Sequence, residues 1–207
     1  MTMDDHRQAP RRRGSELERV ILDAVLAELS RVGYAALSMD GVAERARVSK
    51  ASLYRRWHGK ADLVVDCVYR ALPEAEDIRD TGSLRGDLEG VLRDAAAQLS
   101  GPAGAGMRGI LSDALGDPGA ADELRARRKG RGAAVMREVT RRAQARGELA
   151  AGADVSPRVL EVGHAMLRHE FLFAGSVADD FVLSLVDDVL LPLLFASAPP
   201  PQAYDRP

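Results

Sequence analysis

Apolar residues recur along most of this chain at steps of three and four. Leu17, Val20, Ile21, Ala24, Val25, Leu29 and Val32 are spaced to share one face of a helix. Gly33 is placed to end that helix, since glycine takes a left-handed cap without a steric penalty. Ser38 is an N-cap for a second helix that carries Val42, Ala43 and Ala46 inside; its hydroxyl oxygen can accept an unpaired backbone N–H. Ser49 caps a third, short helix, with Leu53 and Trp57 one turn apart on its buried side. Gly59 separates it from a fourth, running from about Lys60 to Leu72 and stopped by Pro73.

Residues 74–83 are polar and read as a joint. Longer helical patterns follow, the first from Leu84 to Leu99. A glycine-rich break between Gly101 and Gly109 leads into a short apolar helix, Ile110 to Leu115. Asp117-Pro118 opens the next, continuing to about Arg146 with Leu124, Val135, Met136 and Val139 as inward residues; its Arg125–Arg131 basic run reads as a solvated face. Ser156-Pro157, a cap followed by proline in the first turn, starts a helix to about Ala174. The last runs from about Asp179 to Phe195. No strand pairing or internal repeat emerges. The expected fold is all-α. A flexible basic arm (1–15) leads to a three-helix, helix-turn-helix DNA-binding domain (16–72). A second helical domain (80–198) and a flexible tail (199–207) follow.

Composition supports this reading. Hydrophobic residues make up 46% of the 207 and aromatics only 4%, with Ala, Leu and Arg abundant, a helix-favouring balance. The formal net charge is −2, but its distribution is uneven. From Gly41 to Lys60 stand Arg45, Arg47, Lys50, Arg55, Arg56 and Lys60 against one acid, Glu44, whereas acids dominate from Glu148 onward. Only one end is therefore suited to phosphate. A single cysteine, Cys67, permits no internal disulfide and follows an amphipathic pattern that makes it a core residue. The N-terminus lacks the apolar core of a secretory signal, and no apolar run reaches about 18 residues. A soluble, cytoplasmic protein with no membrane partner is expected.

The strongest local signal is Ser38 to Lys60, SMDGVAERARVSKASLYRRWHGK. Val42, Ala43, Ala46, Val48, Leu53 and Trp57 supply a small core. The third helix is left with an exposed face of Lys50, Ala51, Tyr54 and Arg55. A helix fits the DNA major groove, and its N-terminal residues reach base edges. Lys60 and the N-termini of the second and fourth helices are placed to bind flanking phosphates.

This segment resembles the tetracycline-repressor (TetR) family of bacterial regulators. The matching residues are Ile21-Leu22-Asp23-Ala24, Gly33-Tyr34, Ser38, Val42-Ala43, Ala46, Val48-Ser49, Leu53-Tyr54, Trp57 and Lys60-Ala61-Asp62-Leu63, across about residues 16–70. The resemblance implies phosphate contacts at Ser38, Lys50, Tyr54 and Lys60, and base reading by Lys50, Ala51 and Arg55. The chain departs from the pattern at Arg47, where the family usually has glycine. A left-handed backbone there would cost on the order of 1 kcal/mol. Arg56 and Trp57 replace a frequent histidine and phenylalanine.

Other chemistry is weakly signalled. Gly104-x-Gly106-x-x-Gly109 spells a dinucleotide fingerprint but follows a helix rather than a strand, so it reads as a flexible connection. His164 and His169 are five apart, on different helix faces, which argues against a metal pair. Neither a cofactor nor a metal is expected. The last helix is apolar around most of its circumference, more than a surface helix needs, so a second chain is the natural cover. Together with its neighbour it gives interface candidates Val159, Val162, Gly163, Met166, Val186, Val189, Leu190 and Leu194. The alternative is a helix central to a single-chain bundle. The resemblance implies dimerisation through the last two long helices and a small-molecule pocket among the middle ones, with Leu88, Leu92, Met107, Leu111, Met136, His164 and Phe171 as inward candidates. The expected function is a DNA-binding regulator, a homodimeric repressor released from a near-palindromic operator by an effector, with activation left open. An enzyme carrying a degenerate helix-turn-helix and a non-DNA interaction module are the rivals.

Overall fold

The computed structural model describes residues 14–70, 75–117 and 131–199. Every regular element among them is helical. The N-terminal set is α1 (Gly14–Ala36), α2 (Met39–Ala46), α3 (Lys50–Tyr54) and α4 (Lys60–Arg70). A 3-10 turn at Ala75–Asp77 precedes α5 (Leu84–Leu99) and α6 (Pro102–Gly116). Then come α7 (Arg131–Ala145), α8 (Pro157–Ala174) and α9 (Asp179–Ser184), which runs through a π-helical turn, Leu185–Leu190, into α10 (Leu191–Ser197). Leu124 and the Arg125–Arg131 run lie wholly or largely outside the described residues, as do most of the N-terminal arm and the tail.

Local signals account for most boundaries. Ser83 and Ser156 cap α5 and α8, accepting from Gly86 N and Val159 N, and Gly175 closes α8 with φ 80°. The π turn has a chemical cause. Pro192 has no N–H, and its ring crowds the carbonyl four residues back; widening the preceding turn, where Leu191 N donates to Val186 O, relieves that crowding. Gly33 interrupts α1 at the place the pattern gives for the helix end. The backbone breaks there (φ 71°, ψ 172°) and one further turn carries Tyr34 into the core.

The glycine-rich stretch is the clearest departure from expectation: it is helix, not a flexible connection. A Cβ on Gly104 would meet Leu99 O at 1.7 Å, one on Gly106 would meet Val64 Cγ1 at 2.9 Å, and one on Gly109 the Tyr34 ring at 2.1 Å. These glycines let α6 approach its neighbours closely.

Buried apolar side chains form two clusters. The first joins α1–α4 with Ala103, Met107 and Ile110 of α6, so the N-terminal core is completed by a helix from beyond the joint. The second joins α5, α7, α8 and the last helix around Leu88, Leu92, Met136, Leu160, Leu167 and Leu190. Ile78 belongs to it, so the polar joint is pinned near its middle.

Candidate nucleic-acid interface

The turn between α2 and α3 is built from backbone hydrogen bonds. Ser38 Oγ accepts from Gly41 N and Ser49 Oγ from Ser52 N, fixing the first turns of both helices. Between them Arg47 N donates to Glu44 O and Val48 N to Ala43 O, the paired bonds of a Schellman ending. Arg47 sits at φ 54°, ψ 48°, in the left-handed region its position in the motif requires. Val42, Leu53 and Trp57 are buried beneath the turn, and Trp57 Nε1 donates to Asp66 Oδ2 of α4 at 3.0 Å. The inner face of α3 is thereby anchored, while Lys50, Ala51, Tyr54 and Arg55 are exposed.

The charge on this face is smaller than the sequence count suggests. Glu28, buried on α1, accepts from Arg45 Nε at 2.6 Å and from Arg31 Nη2 at 2.8 Å, and these hydrogen bonds hold its carboxyl down at about 2. Glu18 of α1 faces Arg56 at 3.6 Å. Lys60 folds back on the end of α1, donating to Tyr34 O at 3.2 Å with its ammonium 4.5 Å from the Tyr34 ring centre. Lys50 Nζ donates to Asp40 Oδ2 of α2 at 2.6 Å. Of the six cations between Gly41 and Lys60, Arg47 and Arg55 alone have no carboxylate or carbonyl partner among the described residues. Sequence reasoning missed the three acids responsible. Glu18 and Glu28 come from α1, and Asp40 lies one residue before the basic stretch.

Tyr34 ties this unit to α6. Its hydroxyl donates to Asp113 Oδ2 at 2.6 Å, and burial with that carboxylate beside it pushes the phenol well above its ordinary range. Cys67 is buried in the same core, its thiol pushed up to about 12 chiefly by burial.

The pocket candidates divide. Leu88, Leu92 and Met136 lie in the second core, whereas Met107 and Leu111 pack with α1–α4. Phe171 is buried, with the Arg108 guanidinium 4.6 Å from its ring centre. His164 has its Nδ1 shut from solvent with no hydrogen-bond partner among the described residues; burial, reinforced by Arg168, lowers its pKa to about 4. The interface candidates divide too. Val186, Leu190 and Leu194 are buried in the chain's own second core, with Gly163 packed against Leu190 and Leu92. Val159, Val162 and Val189 are half-buried. Met166 is exposed, together with Phe195 of the apolar last helix and with Leu172 and Phe173, which the sequence reading did not single out.

A capped helix pair with a left-handed turn, presenting a short second helix to solvent, defines a helix-turn-helix DNA-binding regulator. Residues 21–67 match the family described as bacterial regulatory proteins, tetR family, and residues 78–189 match the tetracyclin repressor-like C-terminal domain. The chain is 35% identical over 192 residues to the DNA-binding transcriptional repressor TetR of Mycobacteroides abscessus, covering 88% of this chain and 96% of that one. It is 31% identical over 189 residues to the uncharacterized HTH-type transcriptional regulator Rv1556 of Mycobacterium tuberculosis, covering 88% and 90%. The crystal structure of the TetR family transcription regulator SCO0332 superposes with a TM-score of 0.67 at 28% identity, covering 85% of this chain and 97% of that one. The chain belongs to the TetR family of transcriptional regulators, which are DNA-binding proteins and not enzymes.

Proposed function

We propose that two copies of this chain repress transcription by setting their α3 helices into successive major grooves of a near-palindromic operator, and that a small molecule releases them. The carrying observation is the α3 face itself: exposed, anchored from behind, with Arg55 unpaired among the described residues. Residues 16–72, completed by α6, form the DNA-binding unit, and the rest of 80–198 the sensing and dimerising unit of a cytoplasmic protein. Ser38, Lys50, Tyr54 and Lys60 hold phosphates, Lys60 after turning away from the Tyr34 carbonyl. Lys50, Ala51 and Arg55 face base edges. A two-fold axis places half-sites about one helical turn apart, 34–36 Å, or a multiple of it. Its interface is the α8 and last-helix surface carrying Met166, Phe173 and Phe195, rimmed by Val159, Val162 and Val189. The effector site lies in the second core around Leu88, Leu92 and Met136, with His164 and Phe171 of α8 beside it, and the His164 imidazole is the polar group offered to a ligand. An effector acts by fitting the non-binding geometry better.

Arginine reads guanine through two hydrogen bonds, which discriminate by roughly 1–3 kcal/mol. Binding-site selection with the wild type should return a two-fold consensus, and Arg55→Ala should lose preference at one position in each half-site. An unaltered consensus would remove Arg55 from the reading face. Failure of the wild type to bind any duplex would remove the DNA-binding assignment of α3.

A further inference from the structure

We infer that Asp40 is a positioning residue that acts through Lys50 to suppress binding to non-cognate DNA; this rests on the reading of α3 as the groove-facing helix. Asp40 lies in the first turn of α2, two residues after the Ser38 cap, and Lys50 is the first residue of α3. Their 2.6 Å ion pair bridges the two N-termini that face DNA, with both side chains more than half exposed. The pair is thus on the binding surface and not part of the scaffold beneath it. Exposed pairs of this kind are weak enough to be exchanged for another anion.

Two consequences follow. While Lys50 is held by Asp40, its charge is neutralised locally, and a phosphate drawn to the α2 N-terminus meets a carboxylate beside it. Non-specific binding is almost wholly counterion release, proportional to the cations that reach phosphate. A cation already paired within the protein contributes little to it. In a complex where base edges or an ordered phosphate offer Lys50 fixed acceptors, charge-assisted hydrogen bonds replace the intramolecular pair. Asp40 therefore weakens cognate and non-cognate binding unequally, and the difference is specificity. The remaining cations of the motif reinforce this logic. Arg45 and Arg56 are engaged by Glu28 and Glu18, and Lys60 by the α1 carbonyls, so Lys50 is the charge at the α3 N-terminus that one exposed carboxylate controls.

The test uses the full-length protein and two labelled duplexes: one of mixed sequence, and one carrying the consensus selected with the wild type. Affinity is measured as a function of salt for wild type, Asp40→Asn, Lys50→Ala and the double variant. Asp40→Asn should tighten binding to the mixed-sequence duplex by a factor of about two to five and steepen its salt slope by about one unit. It should tighten binding to the selected duplex less, and the gains should vanish in the Lys50→Ala background. Thermal unfolding should stay unchanged, since both side chains are exposed. An unchanged or weakened non-specific affinity in Asp40→Asn overturns the proposal, and so does a gain that persists without Lys50. If Lys50→Ala shifts the salt slope while Asp40→Asn does not, α3 keeps its role and only the proposal about Asp40 falls.

Discussion

Arg47 holds a backbone conformation that glycine adopts freely and a long side chain does not. Its side chain is exposed, so nothing in the fold requires an arginine there for packing. Arg47→Gly should therefore stabilise the protein by about 0.5–1 kcal/mol, relief of the left-handed strain outweighing glycine's greater freedom when unfolded. Thermal or urea unfolding checks this, and a lower midpoint would show that Arg47 makes a compensating contact. A second residue sets an acid limit. His164 is neutral in the fold because burial lowers its pKa to about 4 from 6.5. Its unfolded form takes up a proton first as pH falls, so its contribution is complete above 6.5 and lost between 6.5 and 4. His164→Gln should flatten the decline of stability across that window; parallel profiles for the two proteins would show that the imidazole is not protected. The strain at Arg47 was legible in sequence because the turn's geometry is local. The charge state of this surface was not, because Glu18 and Glu28 reach Arg56 and Arg45 from another helix, and the Asp40–Lys50 pair depends on how α2 and α3 cross.

Elements with a marked start or an unbroken apolar pattern were readable from the sequence. The helix Pro157–Ala174 starts where Ser156-Pro157 places it, and Leu84–Leu99 spans the stretch its apolar pattern gives, with Ser83 as the cap in the structure. The glycines of α6 were misread because their reason lies elsewhere in the chain. Gly106 makes room for Val64 and Gly109 for Tyr34, and no local pattern carries that information; Gly104 first of all clears the Leu99 carbonyl. The distinction has a measurable form. Gly109→Ala would force a Cβ to 2.1 Å from Tyr34 Cγ, a ring held at its other end by Asp113. It should cost about 1–3 kcal/mol from overpacking, despite alanine's better helix propensity. Gly90→Ala in α5, where a Cβ meets open space, should stabilise by about 0.5–1 kcal/mol. Equal effects at the two positions would mean that the close approach of α6 to α1 is not maintained in solution.

For the whole molecule, the apolar surplus of the last helix has two different uses. Val186, Leu190 and Leu194 serve the chain's own core, so a charge there should unfold the C-terminal half. The surplus that reaches solvent is on α8 and α10, where Phe173 is 82% exposed and Phe195 40%. Exposed apolar side chains spread along a helix pair favour a two-fold contact. Phe173→Glu should leave the helix content and melting temperature close to wild type while shifting sedimentation from dimer towards monomer, with loss of tight operator binding. A variant that remains dimeric would place the two-fold axis elsewhere.

The position of α6 also limits how this protein can be taken apart. Since Ala103, Met107 and Ile110 close the core formed by α1–α4, a fragment ending at the joint near residue 74 would expose Val64, Val68 and Leu29, the side chains against which Gly106 is packed. The DNA-reading unit is contiguous in space but not in sequence. A hybrid regulator made by joining residues 1–74 to another sensor would inherit the motif without the helix that completes it. A recombination point that keeps the unit whole has to carry α6 along with α1–α4.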